Sequence, residues 1–414
     1  MKTNKQNTEI QLALRGFTRE GKKGLLKVKI LKSIFDLKEA SISNICDNLN
    51  LSIPTVTNLM AELTNAGWLE IKGEGLSKGG RKPVMMGLVS HLFYTLCIDI
   101  ELFAVKIAIF DNNLNLCGKI SFPFILSKTR EHIEIIVQNA ESLLESTQIR
   151  KEQLIGISIC MPGLVNPSKG VNYFYLCDAN NKQSLAEYFK LLFGVPVTIQ
   201  NDVNAAALGE LECGKAKGAR DALVILMDWG VGLGIIMDGK VRKGALGFSG
   251  EIGHIPFESN GELCYCGKQG CLETVASGVA LIKLAKEGIK SGQHSILYEL
   301  CNHDVDNIET TLIIEAANKG DLFAIKLLSQ VGSAIGKCIS TLIQIFNPEL
   351  IVLEGRIAAA EQFITLPMMQ AINTYCMTQI RENTKIEVSE LAESANLIGC
   401  AVEGIHQFLV VDTD

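Results

Sequence analysis

The 414-residue chain has no run of 18 or more apolar residues, which on sequence grounds excludes a spanning helix. Its first residues, MKTNKQNTEIQLALRG, are polar and lack the apolar core of a secretory signal, so the chain is expected to be cytoplasmic. Thiols stay reduced there, which excludes a disulfide framework for the 13 cysteines. Proline is scarce, 9 residues against 37 glycines, a balance that suits an α/β chain with glycine-rich loops. Apolar residues are plentiful at 47 % of the chain, enough to fill the cores of two or three domains of about 100–200 residues each.

Charge is unevenly spread. Residues 1–85 carry 14 Lys and Arg against 8 Asp and Glu, whereas the remainder carries 25 against 37. A basic head on an acidic body predicts that the head meets a polyanion.

Within that head, Leu25, Val28, Leu31 and Ile34–Phe35 recur at helical spacing. A second helix is expected after an N-cap at Ser41 or Ser43, with Ile42, Ile45 and Leu49 facing inward. A third follows Ser52 as N-cap, with Pro54 in its first turn and Val56, Leu59, Met60 and Leu63 as the buried stripe. Gly67 ends it and WLEI opens a strand. This is the pattern of a helix-turn-helix with a wing. The polar face of the third helix carries Thr55, Thr57, Asn58 and Glu62, and the wing GEGLSKGGRKPV carries Lys78, Arg81 and Lys82. Short polar side chains suit base edges and phosphates, and an arginine at a wing tip suits a minor groove. The expected partner is a double-stranded DNA operator. A dimer or tetramer is expected too, because one such module buries little DNA. The bland alternative is a helical oligomerisation module with a solvated charged hairpin.

Downstream, three strand runs (Phe93–Ile100, Phe103–Phe110 and a third after DNNLN) precede a helix, a strand broken at Pro162–Gly163, another helix and the strand PVTIQND. A second such set begins at ALVILMDWGVGLGIIMDGKVRKG, and it predicts an internally duplicated, two-lobed α/β body with a ligand cleft. Ten cysteines are scattered and read as small buried hydrophobes. The other three, in CYCGKQGC, lie close after a histidine. His254, Cys264, Cys266 and Cys271 fall within 18 residues, and three thiolates with one imidazole form a standard structural zinc set. Gly267 and Gly270 allow the tight loop. Two polar clusters accompany it: Asn201, Asp202 and Asn204 directly after a strand, and Glu251 with Glu273 flanking the cysteines. Carboxylates and amides converging beside a metal loop suit a polyhydroxylated ligand.

The stretches ALGFSGEIGHIP, CYCGKQGCLE and QNDVNAAALGE together resemble the ROK family of sugar kinases and transcriptional repressors, and the head makes the chain similar to the repressor branch. The resemblance implies an actin-like, ribonuclease-H-like two-lobed ATPase fold behind the winged helix. The expected plan is an N-terminal arm at 1–21, a DNA-binding domain at 22–88, a small lobe at 92–200 joined by a C-terminal helix at 393–414, and a large lobe with the zinc loop at 201–392. It also implies that Asn201, Asp202, Glu251, His254 and Glu273 hold a sugar, with Gly163 and Asn180 beside them. His254 would place one ring nitrogen on structural zinc and the other toward a sugar hydroxyl. In the kinase branch Asp202 would be the general base.

Three loops depart from the kinase pattern. DIELF puts Glu101 where the family's first phosphate loop has glycine, where a carboxylate adds bulk and repels an anion. DWGVGLG has Asp228–Trp229 in place of small residues, and LEGRIA interrupts the adenosine loop with Glu354 and Arg356. The expectation is therefore a repressor released by a sugar or sugar phosphate, and not an enzyme. Two alternatives stand beside it: a sugar kinase with a DNA-binding head, and a scaffold whose ligand is another protein, such as a phosphotransfer component.

Overall fold

The computed structural model describes residues 14, 16–17, 19–76, 82–177 and 183–409. Contacts divide the chain into two compact units, one of Met1–Gln200 with Cys400–Asp414, the other of Asn201–Gly399.

The first unit opens with the head. Helix α1 (Lys22–Leu37) buries Val28, Leu31, Ile34 and Phe35. After the short strand β1 (Glu39–Ala40), α2 (Ile42–Leu49) starts at Ser41, not Ser43. The Ser41 hydroxyl accepts from Asn44 N–H at 3.2 Å and Asn44 Oδ1 accepts from Ser41 N–H at 3.0 Å, a reciprocal cap. Helix α3 (Ile53–Asn65) has Pro54 in its first turn and buries Val56, Leu59, Met60 and Leu63. Strands β2 (Leu69–Glu74) and β3 (Val84–Leu88) pair antiparallel as the wing, and β1 adds to β3 in the order β1-β3-β2. One residue of the expected N-terminal arm packs onto the head. Phe17 is buried against Trp68 with ring centroids 5.3 Å apart. A Cβ on Gly24 would stand 1.7 Å from the Phe17 carbonyl oxygen, so only glycine admits that packing.

The connection to the body is fastened by Asn112, which accepts from Leu92 N–H at 2.8 Å and donates to Val89 O at 2.9 Å. The sheet behind it has the order β10-β7-β4-β5-β6. It is built from β4 (Tyr94–Ile100), β5 (Ala104–Asp111), β6 (Leu116–Pro123), β7 (Leu154–Met161) and β10 (Val197–Asn201). Helices α4 (Ile133–Thr147) and α5 (Leu185–Phe193) and the small ladder β8 (Val165–Asn166) with β9 (Val171–Asn172) complete this part. Strands β4–β6 are antiparallel neighbours and β7 runs parallel to β4. Both central strands are almost continuously buried, which fits their unbroken apolar runs.

The second unit repeats this plan. Its sheet runs β13-β12-β11-β14-β15, from β11 (Ala222–Met227), β12 (Val231–Met237), β13 (Lys240–Val241), β14 (Leu350–Glu354) and β15 (Lys385–Val388). Counted within each set, both orders read 3-2-1-4-5, with antiparallel first hairpins and a parallel fourth strand. Helix α6 (Asp202–Cys213) precedes this sheet. Between β13 and β14 come α7 (Glu273–Ala276), α8 (Gly278–Lys290), α9 (Leu297–Leu300), α10 (Thr310–Asn318) and α11 (Leu322–Phe346). By length and apolar content α11 would suffice to cross a membrane, which the run-length criterion missed. It instead lays Leu328, Val331, Ile335, Ile339 and Ile343 into the core of this unit. Helices α12 (Gln362–Tyr375) and α13 (Thr378–Arg381) follow β14. Helix α12 approaches α11 closely because Gly332 and Gly336 present no side chains to it.

The last helix, α14 (Ala395–Phe408), begins two residues later than expected and does not belong wholly to the small lobe. The division between the units falls inside it, between Gly399 and Cys400. In the second unit, a Cβ on Gly399 would lie 1.8 Å from Ala205 O of α6. In the first, Gly404 meets Thr95 and Ser158, and Phe408 covers Gly156 of β7. Its final turn reaches the head: His406 Nε2 lies 2.7 Å from Asp36 Oδ1, and its ring stands edge-on to Phe35. Of the scattered cysteines, Cys213 is exposed and Cys46, Cys117 and Cys177 are half-buried, so the buried-hydrophobe reading holds for the other six.

Candidate functional site

In the second unit the glycine-rich turn 244–254 folds back on β12. Leu233 N–H donates to Gly250 O at 3.0 Å, and a Cβ on Gly250, at φ +88°, would meet Leu233 O at 1.8 Å. The chain then makes a small two-rung hairpin, with bridges at Pro256–Cys271 and Leu263–Gln269. Gly267, at φ +84°, donates to Cys264 O at 2.9 Å, and Cys264 N–H donates to Lys268 O at 2.7 Å. These backbone bonds aim three thiols at one point.

The donor atoms of His254, Cys264, Cys266 and Cys271 all lie within 4.8 Å of one another. Cys266 and Cys271 sulfurs are 3.7 Å apart, and the Cys264 sulfur is 3.6 Å from His254 Nδ1. A tetrahedral ion with metal–sulfur bonds of about 2.3 Å needs sulfur–sulfur edges of about 3.8 Å and sulfur–nitrogen edges of about 3.6 Å. The four residues therefore fit a metal ion. Burial raises the Cys264 thiol and pushes Cys271 up to about 12, so thiolates at these two positions need a cation beside them to persist.

With Nδ1 turned to the sulfurs, His254 presents Nε2 outward. That nitrogen meets the Tyr265 hydroxyl at 3.1 Å, with Glu251 Oε2 at 3.9 Å. Sequence reasoning passed over Tyr265, the residue inside Cys-x-Cys, and no spacing rule would have marked it. Glu273 enters from the start of α7, where its Oε2 accepts from Val231 N–H at 3.3 Å and its carboxylate also takes a hydrogen bond from Tyr265. Burial raises Glu251 and pushes Glu273 up to about 7, with the Glu251 charge adding to the latter. Burial also lowers the His254 imidazole, which keeps it neutral and ready to ligate.

Asn201 caps α6, its Oδ1 accepting from Val203 N–H at 2.9 Å and Asn204 N–H at 3.3 Å. Asp202 follows in the first turn and accepts from Val203 N–H at 2.9 Å. Asn204 is buried and donates to Gly247 O at 3.5 Å, which links the start of α6 to the turn that carries Glu251. Glu251, His254, Tyr265 and Glu273 thus form one cluster, and the α6 residues are tied to its approach. Gly163 belongs to the first unit, at φ +90° in a turn held by Asn172, which donates to Pro162 O at 2.8 Å. Asn180 lies outside the described residues.

The loops whose sequences depart from the kinase pattern have paired side chains. Arg356 Nη1 bonds Asp228 Oδ1 at 2.5 Å, and its guanidinium sits 5.0 Å over the Trp229 ring. Residues of DWGVGLG and LEGRIA therefore satisfy each other. Glu354 is buried at the end of β14. In the first unit Glu101 is 8 % exposed and pairs with Lys106, 5 % exposed, at 2.5 Å. The expected repulsion of an anion by Glu101 is thus largely cancelled by Lys106, and what remains is bulk.

On the head, Thr57 and Asn58 are exposed on α3 and Thr55 is half-buried. Ser52 stands at the N-cap position, but its hydroxyl bonds the Thr55 hydroxyl at 2.8 Å and caps no backbone N–H. Glu62 leaves the expected polar face: it turns to α1, where it pairs with Lys23 at 2.6 Å and Lys27 at 3.0 Å. Lys82 is exposed and 3.7 Å from Glu74 on the wing. Lys78 and Arg81 lie outside the described residues.

Comparison with known proteins places this geometry. A model of the ROK family matches residues 95–403. The chain is 31 % identical over 395 residues to a xylose repressor from Caldicellulosiruptor bescii, covering 94 % of this chain and 97 % of that protein. The crystal structure of a ROK family transcriptional regulator, a homolog of the E. coli MLC protein, matches with a TM-score of 0.76 at 25 % identity, over 92 % of this chain and 96 % of its own. A ROK family glucokinase from Streptomyces griseus, in complex with glucose and AMPPNP, matches with a TM-score of 0.65 at 27 % identity, over 74 % of this chain and 98 % of its own.

Proposed function

The chain belongs to the ROK family, and from that we propose that it is a sugar-responsive, DNA-binding transcriptional repressor, released from its operator by a sugar or sugar phosphate. The observation that carries the reading is the joining, in one chain, of a winged helix to a metal-ready loop that presents Glu251, His254 and Glu273 together. The near full-length likeness to a repressor supports it, since the likeness includes the head as well as the body. The chain acts, on this reading, as a homo-oligomer in the cytoplasm, where its operator is.

Residues 22–88 serve as the DNA-binding domain. Helix α3 enters the major groove with Thr55, Thr57 and Asn58 toward base edges and Ser52 near the backbone. Lys82, with Lys78 and Arg81, supplies the positive wing for phosphate and minor groove. In the second unit Asn201, Asp202, Glu251, His254 and Glu273 hold the sugar.

Zinc is the ion assigned to His254, Cys264, Cys266 and Cys271, because three soft sulfurs and one imidazole in a tetrahedron are its preferred set. When bound it stiffens the loop and fixes the His254 tautomer, and with four protein donors it keeps no open position for catalysis.

The kinase alternative rests on the retained Asp202 and on the likeness to a glucokinase. Against it count the Arg356–Asp228–Trp229 cluster and the Glu101–Lys106 pair, which engage residues of the three loops whose sequences depart from the kinase pattern. ADP release from protein, ATP and a sugar panel should stay far below about one turnover per second, an ordinary enzyme rate.

The decisive test is fluorescence anisotropy on operator DNA from the chain's own upstream region, with and without a panel of sugars and sugar phosphates. One of them should weaken DNA binding by roughly 5–150-fold, the usual range for coupled sites. A complex that no sugar releases would sink the sugar reading. Full release in N201A and E251A variants would favour the protein-scaffold alternative.

A further inference from the structure

The Tyr265 side chain lies on top of the groups that the sugar is proposed to use. It is 58 % exposed, projects from between two metal ligands, and yet its hydroxyl is engaged. That oxygen is 3.1 Å from His254 Nε2 and bonds the Glu273 carboxylate, with its ring edge-on to the imidazole at 5.1 Å and 81°. An exposed phenol with water available gains little from burying its hydroxyl, so the two bonds reflect what His254 and Glu273 require.

The hydrogen-bond roles follow from the donor inventory. His254 turns Nδ1 to the cysteine sulfurs, so in the neutral, metal-ligating imidazole the proton sits on Nε2 and is donated outward. The Glu273 carboxylate accepts from the Tyr265 hydroxyl. One oxygen that accepts from Nε2–H and donates to a carboxylate satisfies both. A phenol does this and so does a sugar hydroxyl, whereas an ether, a keto oxygen or a missing hydroxyl does not.

We propose that Tyr265 is a specificity-determining residue whose hydroxyl stands in for one sugar hydroxyl on His254 and Glu273, so that a ligand must displace it with a hydroxyl of its own. This rests on the sugar-binding reading above. Two consequences follow for ligand choice. A monosaccharide carrying the matching hydroxyl exchanges like for like. A deoxy analogue lacking it leaves Tyr265 in place and gains no contact with His254.

Two variants of the full-length, zinc-loaded protein test this by isothermal titration calorimetry, with D-xylose, D-glucose and N-acetyl-D-glucosamine as probes. Tyr265→Phe keeps the ring and removes the competing oxygen. It should tighten binding of whichever probe the wild type binds by about 2- to 12-fold, the net worth of one such hydrogen bond. Tyr265→Ala should tighten it too, and both variants should retain one zinc per chain by metal analysis. Weaker or unchanged affinity in Tyr265→Phe with zinc intact overturns the proposal, because Tyr265 would then be a ligand of the sugar or a bystander. Failure of the sugar reading itself looks different: the wild type then binds no probe, or Glu251→Ala leaves binding untouched, and the Tyr265 proposal falls with it.

Discussion

Replacing Lys106 by Met tests whether Glu101 and Lys106 form a buried ion pair of the first unit. Lys106 and Glu101 side chains are 6 % and 9 % exposed and 2.5 Å apart. At an effective dielectric of 20 their attraction is about 7 kcal/mol, which roughly offsets a desolvation penalty of several kcal/mol for each ion. The intact pair is thus worth little, but removing the lysine alone leaves a buried carboxylate without this counter-charge. The expected loss for K106M is about 3–5 kcal/mol, whereas the double variant E101L/K106M should return to within about 1 kcal/mol of the parent. Urea unfolding followed by Trp68 fluorescence in a W229F background reports on the first unit alone, which avoids treating two units as one transition. A K106M loss below about 1 kcal/mol, or a double variant as unstable as the single one, would refute the reasoning.

Chelation of the metal should free the loop 256–271 to proteases and weaken sugar binding on the order of tenfold or more, as when ligand-orienting partners are lost; limited proteolysis and calorimetry read the two effects. Asn58→Ala should weaken operator binding by roughly 1–3 kcal/mol and relax base preference at one position, leaving sugar affinity unchanged, as checked by anisotropy on a set of single-base operator variants. Gly399→Val drives a side chain into the Ala205 carbonyl, where even a Cβ would sit at 1.8 Å. It should cost about 1–3 kcal/mol by overpacking, seen as a lower thermal midpoint.

Much of this was readable from periodicity. The buried stripes of α1 and α3 and the apolar runs of β4, β7 and β11 announce themselves, because one face or both faces of each element are dry. The metal loop was legible for another reason: four donors close in sequence need only one tight turn to meet. Contacts at long sequence separation were hidden. Nothing local in Glu62 says that two lysines of α1 will claim it in place of DNA, and nothing in Phe17 says that Trp68 awaits it. Pro367 argues against a helix interior, yet α12 accepts it where α11 offers glycines. Arg356 read as damage to one loop; only in three dimensions does it become the partner of Asp228 and Trp229 from another.

Helix α14 has a consequence for synthesis. The first unit is spelled by residues up to Gln200 and then completed by the last residues of the chain, among them the buried Ala401, Val402 and Ile405 and the His406 that meets Asp36. Chains emerge from the ribosome with the N-terminal end first. The part that carries the winged helix therefore waits, missing this closing helix, until the whole of the second unit has been made.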